Sequence, residues 1–83
     1  MIQIVTMIQG IIAGLYERKN MPFHKELDYP IYDISIKTND GRLFDIYLNE
    51  EEIREALGLS NQEINQKLLN DYVSKRIELS VKV

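Results

Sequence analysis

The sequence predicts a single α+β domain, residues 1–83, in which an antiparallel sheet of about four strands packs against two helices. Three observations favour this fold class: two strand-like segments flank a turn-rich stretch in 31–48, two capped helical segments follow, and a last strand-like segment occupies 76–83. Strands that are joined by tight turns pair antiparallel, and a sheet with one apolar face needs other elements to cover that face. Eighty-three residues correspond to one small domain.

Composition and charge limit the kind of protein that this sequence encodes. Hydrophobic residues make up 45% of the chain and charged residues 28%, a balance typical of a folded domain. The chain has no cysteine and one histidine, so we expect no disulfide, no metal site and no cofactor. A net charge of −3 argues against general binding to nucleic-acid phosphates. The sequence lacks a long apolar run and a basic leader, so we expect a cytoplasmic protein that does not bind membranes.

The segment 1–18 is open to three interpretations. Apolar residues recur along it at helical spacing, whereas residues 2–8 alternate as in a strand and many of its residues are β-branched. Gly10 and Gly14 would each cost a helix interior about 1 kcal/mol relative to alanine. We therefore expect one long bent strand, with two successive strands or a helix as the alternatives. The glycines indicate sheet curvature rather than a phosphate-binding loop.

Residues 19–30 show no regular period, and Pro22 and Pro30 interrupt them. They predict a loop of about a dozen residues, longer than most connections in small domains, and long loops often carry function. Basic and aromatic side chains are concentrated in this loop and just before it. They form a candidate site for a small anionic, nucleotide-like ligand, made of Tyr16, Arg18, Lys19, His24, Lys25 and Tyr29.

Residues 31–48 predict a β-hairpin, because apolar and polar residues alternate on both sides of Asn39-Asp40-Gly41. Glycine tolerates the positive φ at the end of a three-residue loop. With such a loop, three apolar pairs share one face: Tyr32 with Leu48, Ile34 with Ile46 and Ile36 with Phe44. Leu43 and Tyr47 then lie on the other face, where we expect contact with a partner or a second copy of the chain.

Two helices are predicted after the hairpin. Asn49 and Glu52 form a capping box, the first turn is acidic, and Gly58 suits the left-handed residue after a helix at 50–57. Glu51 and Glu55 on this helix are candidates for contact with a basic site on a partner protein. Ser60 with Glu63 predicts a second capping box, and apolar residues every four positions predict a helix at 61–74. Strict alternation predicts the strand 76–83.

The segment 53–68 resembles a DNA-binding helix-turn-helix. Its apolar anchors, turn glycine and cap carry the resemblance: Ile53, Leu57, Gly58, Leu59, Ser60 and Ile64. The resemblance implies that amide side chains on the second helix read base edges, namely Asn61, Gln62, Asn65 and Gln66. Residues 49–75 carry six acidic and three basic side chains, a balance of −3 that repels phosphates. A transcriptional regulator is therefore the alternative function.

The order of elements is also similar to that of a small β-barrel of the OB type, with one strand fewer. That family commonly binds oligonucleotides or other ligands on its sheet face.

The sequence contains no nucleophile with an adjacent base and no clustered acids, which does not favour an enzyme. We expect a small non-enzymatic binding protein that forms a homo-oligomer. Its further partner would be a host protein that it inhibits or a small anionic ligand that it sequesters, as with phage and mobile-element proteins that counteract host defences.

Overall fold

The computed structural model describes residues 5–20 and 26–82. In chain order, the elements of this part of the chain are β1 (Val5–Asn20), β2 (Glu26–Lys37), β3 (Leu43–Leu48), α1 (Glu50–Leu57), α2 (Gln66–Asn70) and β4 (Arg76–Lys82). Within these residues, the strands form one open antiparallel sheet in the order β3-β2-β1-β4. The predicted α+β fold is therefore confirmed, and the described sheet is open and does not close into a barrel.

The first segment is one long strand, as expected, so the helix and the two-strand alternatives are wrong for residues 5–18. β1 pairs with β4 over residues 5–11 and with β2 from Ile11 onward. A β-bulge between Ile12 and Gly14 interrupts the register with β2. A bulge bends a strand and increases its twist, which accounts for the expected curvature. Residues 1–4 lie outside the described part of the chain.

Most of the loop that was predicted at 19–30 is strand instead. β1 continues to Asn20 and β2 already begins at Glu26, so residues 21–25 are the part of the predicted loop that lies outside the described chain. Pro30 is part of β2, although it was taken as a break. β3 pairs with β2 only as far as Tyr32, so β3 does not pair with β2 at Pro30. Proline is tolerated at such an edge position because it has no N–H to donate.

The β2–β3 hairpin has the predicted register. The backbone N–H of Thr38 donates to the carbonyl of Arg42 at 2.9 Å, and Gly41 has a φ of 86°. The positive φ is the reason that glycine ends this loop. The three predicted apolar pairs are confirmed: Tyr32 with Leu48, Ile34 with Ile46 and Ile36 with Phe44.

The first helix is confirmed and the second is much shorter than predicted. α1 has the expected capping box of Asn49 and Glu52, and Gly58 follows it with a φ of 68°. α2 begins at Gln66 instead of residue 61 and has five residues. Its N-cap is Asn65, whose side chain accepts from the backbone N–H of Leu68. The capping box that was predicted from Ser60 therefore does not start this helix.

Arg54 explains why residues 60–62 are not helical. Its Nη1 donates to the carbonyls of Ser60 and Gln62 at 2.6 and 2.9 Å. In a helix that started at Ser60, the carbonyl of Ser60 would accept from the N–H four residues later. The charged hydrogen bonds from Arg54 use these carbonyls instead and hold the connection open.

Both helices lie on one face of the sheet, where they bury the core. α1 packs against β2, β3 and β4, and α2 packs against β1. Tyr32, Ile34, Ile36, Ile53 and Leu69 are almost completely buried in this layer. The two helices of the described chain are too short to cross a bilayer. The opposite face of the sheet has no helix on it among the described residues, and this face positions the candidate site.

Candidate functional site

The sheet face opposite the helices is apolar in places and open; we call it the open face. It bears every large hydrophobic side chain that is clearly exposed in the described chain. These residues alternate with inward-facing core residues along β1 and β3. They are Met7, Ile11, Tyr16, Leu43 and Tyr47, with exposed fractions from 40% to 64%. Polar residues of the same face separate these side chains, and their gathering on one face makes it a candidate docking surface.

A row of three side chains crosses the open face at one end. Tyr16 on β1 is the register partner of Asp33 on β2, and Asp33 is the register partner of Tyr47 on β3. Because neighbouring strands are about 4.8 Å apart, the two tyrosines stand roughly 10 Å apart with the aspartate between them. The row therefore places a carboxyl group between two aromatic side chains.

Asp33 is buried even though it lies on the open face, with 4% of its surface exposed. Its Oδ2 accepts a hydrogen bond from Nε of Arg18 at 3.1 Å and forms an ion pair with Nη2 of Arg18 at 3.0 Å. Its Oδ1 is buried and receives no hydrogen bond within the described chain. A buried acceptor without a donor costs on the order of 1–3 kcal/mol. The carboxyl group is therefore only half satisfied.

A second carboxyl group lies diagonally across from the first. Asp45 on β3 is the register partner of Ser35, whose Oγ donates to Asp45 Oδ1 at 3.1 Å. Burial raises the pKa of Asp33, and the nearby Asp45 carboxyl group raises it further, whereas Arg18 opposes both effects. We call Asp33 and Asp45 the acid pair. With Arg18 as their neighbouring cation, the two carboxylates leave a local charge of −1 at neutral pH.

The ring of Tyr16 lies along β1, over Gly14. A Cβ added to Gly14 would be 3.1 Å from Cε2 and 3.6 Å from the hydroxyl oxygen of Tyr16. The absent side chain therefore leaves room for the ring to lie close to the backbone. Gly14, Ser35 and Asp45 form the next row across the sheet, which we call the middle row. Its own side chains are small, and the Tyr16 ring covers it at Gly14.

Two cations lie on the far side of the middle row. Arg76, Ile11, Lys37 and Leu43 form a row across all four strands. Lys37 and Arg76 are both exposed, and neither forms an ion pair within residues 5–20 and 26–82. The acid pair therefore lies in the middle row and on one side of it, and Lys37 and Arg76 lie on the other side.

The structure places the residues of the predicted ligand site in two groups. Tyr16 and Arg18 lie on the open face, where Arg18 already pairs with Asp33. The backbones of Lys19 and Tyr29 belong to β1 and β2, but their side chains lie outside the described part of the protein. His24 and Lys25 lie outside it entirely. The described residues therefore bring Tyr16 and Arg18 together with the acid pair and Tyr47.

The four residues of the predicted partner interface are also divided. Leu43 and Tyr47 are on the open face, with exposed fractions of 64% and 46%. Glu51 and Glu55 are exposed on α1, which covers the other face of the sheet. They therefore do not form one surface with Leu43 and Tyr47.

The four amide residues of the helix-turn-helix interpretation do not share a helix face. Asn61 and Gln62 precede α2, and Asn65 is its N-cap. Gln66 bonds to β1: it accepts from the N–H of Glu17 at 3.1 Å and donates to the carbonyl of Leu15 at 2.8 Å. The second helix on which base reading depends is therefore absent from residues 61–65.

The acid pair and Lys37 are the site residues that the sequence interpretation missed. The hairpin register already places Asp33 opposite Tyr47 and Ser35 opposite Asp45, so the acid pair had a readable signal. The sequence gives no comparable signal for the pairing of Tyr16 with Asp33, because this pairing depends on the bulge in β1.

Comparisons with known proteins identify no relative from which a function could be transferred. No protein-family model, no curated protein and no solved structure matches the chain. Among the described residues, no three His, Cys, Asp or Glu side chains are grouped so that they could hold a metal ion. The distinctive chemistry of the described surface is the acid pair, of which Asp33 lies between two tyrosines on an open sheet face.

Proposed function

We propose that this protein is a non-enzymatic binding protein that assembles with a second copy of itself through the open face. One observation carries the proposal: both helices cover one side of the sheet, and the exposed large hydrophobic side chains of the described chain are all on the other side. Covering apolar surface is favourable, and a symmetric contact with an identical surface is the commonest way to do so.

The charges of the open face support a contact between identical surfaces. Among the residues whose side chains the structure describes, three cations and three anions occupy it: Arg18, Lys37, Arg76, Asp33, Asp45 and Glu78. These six charges sum to zero, whereas the whole chain carries −3. Two faces on which these charges balance can match each other without net repulsion.

The size of the face suggests a weak dimer. Four strands about 4.8 Å apart and roughly 25 Å long cover on the order of 500 Å² per copy. Two such faces bury about 1,000 Å² in total, which is near the lower limit for specific interfaces. We therefore expect dissociation in the micromolar range, so that the assembly depends on protein concentration.

The described residues give less support to an anionic ligand. Arg18 is paired with Asp33, and Asp45 is next to Asp33, so the local charge does not attract phosphate. The other candidates for that site have side chains outside the described chain, namely Lys19, His24, Lys25 and Tyr29. Sequestration of a nucleotide and inhibition of a host protein therefore stay predictions from the sequence.

Sedimentation equilibrium over a range of concentrations tests the proposal. We expect the wild-type chain to shift from monomer to dimer, and Leu43→Asp to raise the dissociation constant at least about tenfold, because it places a charge in the contact. Glu51→Ala, on the helix side, is the control and should leave dissociation unchanged. A wild-type mass that stays near 9.7 kDa at high micromolar concentration would contradict the proposal.

A further inference from the structure

The acid pair has the chemistry of a site that awaits a cation. Asp33 Oδ1 is buried without a donor, and the Asp33 side chain is 6% exposed. Within the described chain, Asp45 receives a side-chain hydrogen bond from Ser35 alone. Two neighbouring carboxylates repel each other, and a cation that binds the exposed Asp45 carboxyl group would relieve this repulsion and supply it with hydrogen-bond donors.

Lys37 is a cation that its own chain leaves exposed and without an acidic partner among the described residues. It lies on the same strand and the same face as Asp33, four residues further along β2. Ser35, in the middle row, lies halfway between them. An acid and a base therefore lie at equal distances on either side of Ser35. The strand is thus complementary in charge to a second copy of itself that runs in the opposite direction.

We propose that Lys37 of each copy binds the acid pair of the other copy in a two-fold symmetric dimer; this inference rests on the proposed function. The symmetry axis would lie between the two sheets and run across the strands along the middle row. Rotation by 180° about this axis places each strand opposite the same strand of the other copy. The two strands then run in opposite directions. Asp33 of one copy then faces Lys37 of the other, and the contact occurs twice.

The same symmetry operation also matches the apolar side chains. Tyr47 and Leu43 lie on β3 on either side of the middle row, so Tyr47 of one copy faces Leu43 of the other. Tyr16 and Ile11 have the same relationship on β1. One axis therefore pairs four of the exposed hydrophobic side chains with one another and both lysines with acids.

The middle row suits the position of the axis because its side chains are small. Facing sheets pack about 10 Å apart, a gap that a lysine from one sheet and an aspartate from the other can span together. Packed sheets are rotated by about 30° relative to each other, which displaces residues far from the axis most. The acid pair and Lys37 lie one row or less from the axis, where the alignment of the two copies is best.

This arrangement also brings like charges together, and Lys37 is needed to offset their repulsion. Asp45 lies in the middle row, so the two copies bring their Asp45 carboxylates close together. Lys37 of each copy lies diagonally from Asp45 in the register and so stands beside this cluster from both sides. Charge pairs of this kind mainly determine which alignment of two surfaces is selected.

A charge exchange between two variants tests the inference. K37D and D45K each place like charges at both contacts of their own dimer, so we expect each dissociation constant to rise at least about tenfold. Mixed together, they form one wild-type contact and one contact in which the lysine introduced at position 45 lies beside the aspartate introduced at position 37, with Asp33 unchanged. Because Asp33 still faces position 37 in that second contact, we expect the mixed dimer to bind more tightly than either variant alone but less tightly than wild type, measured by native mass spectrometry and sedimentation.

Arg76→Asp is the matched control, because Arg76 is an exposed cation in the same row as Lys37. In the proposed dimer, Arg76 would face a position of the other copy that precedes the first residue of β4. No strand of the other copy therefore lies opposite Arg76. We expect this variant to weaken the dimer much less than K37D does. An equal effect of the two variants would overturn the proposed alignment.

The outcomes separate this inference from the proposed function. A wild-type dimer with no recovery in the mixture overturns the lysine contact and leaves self-association through the open face standing. A wild-type chain that stays monomeric overturns both and leaves the open face to a partner of another kind. If D45K does not fold by circular dichroism, Lys37→Gln replaces the pair of variants. It should weaken the dimer, and an unchanged dissociation constant would overturn the inference.

Discussion

The side-chain amide of Gln66 bonds to the backbone of Glu17 in the way that a neighbouring strand would. Its Oε1 accepts from the N–H of Glu17 at 3.1 Å, and its Nε2 donates to the carbonyl of Leu15 at 2.8 Å. β4 pairs with β1 only over residues 5–11, so this later part of β1 lacks a strand on that side. One glutamine therefore satisfies two backbone groups at the exposed edge of the longest strand.

Gln66 should contribute measurably to stability. We expect Gln66→Ala to lower the free energy of unfolding by about 1–2 kcal/mol, because two partly buried backbone groups lose their partner. Gln66→Glu keeps the acceptor for Glu17 but loses the donor to Leu15, so it should also destabilise. Urea unfolding at neutral pH measures both, and Asn61→Ala is an exposed control. Equal stabilities of the Gln66 variants and wild type would contradict this role.

Two glycines of β1 should differ in their tolerance of alanine. A Cβ at Gly10 would overlap the backbone carbonyl of Lys37 and lie 2.9 Å from Cγ2 of Ile36. At Gly14 the nearest atoms belong to the movable Tyr16 ring. We expect Gly10→Ala to cost about 3 kcal/mol and Gly14→Ala less than about 1 kcal/mol, measured by thermal or urea unfolding. A similar loss in both variants would mean that β1 does not approach β2 this closely.

The charge of Asp33 should destabilise the monomer. Its pKa is raised above the ordinary value of 3.8, mainly by burial. A carboxyl group whose folded-state pKa is raised contributes most to the stability of the folded state below its unfolded-state pKa. This contribution is lost as pH rises through the folded-state pKa. We therefore expect Asp33→Asn to match wild type near pH 3 and to become the more stable protein as pH rises toward 7. Urea unfolding at dilutions where the chain is monomeric measures this.

Asp45 provides the control for this pH dependence. Its proximity and charge are among the causes that raise the pKa of Asp33. Removing that charge with Asp45→Asn should therefore reduce the loss of wild-type stability between pH 3 and 7. If Asp33→Asn is instead less stable at pH 7 than at pH 3, relative to wild type, the ion pair with Arg18 outweighs the cost of burial.

The local parts of the fold could be predicted from the sequence because local chemistry determines them. The hairpin register follows from alternation and from one loop, and the start and end of α1 follow from Asn49, Glu52 and Gly58. The Ser60–Glu63 capping pattern is just as regular, yet no helix begins at Ser60 in the structure. Arg54 reaches the carbonyls of Ser60 and Gln62 across the chain, and a capping pattern contains no information about such a competitor.

The candidate site could be predicted only in part. Tyr47 and Leu43 follow from the hairpin alone, and the structure does place both on an exposed face. Tyr16 reaches Asp33 only because the bulge after Ile12 shifts the register of β1. Pairing between strands that are distant in sequence depends on packing of the whole sheet, which residue types do not encode one by one.

The division of β1 between two partners has a consequence for synthesis of the chain. Residues 5–11 pair with β4, which the ribosome makes about seventy positions later. Until residues 76–82 emerge, this half of β1 has an unpaired edge, and Ile8 lacks Leu79, its cross-strand neighbour. An unpaired apolar strand is a template for aggregation, so the nascent protein is most vulnerable just before its last strand is complete.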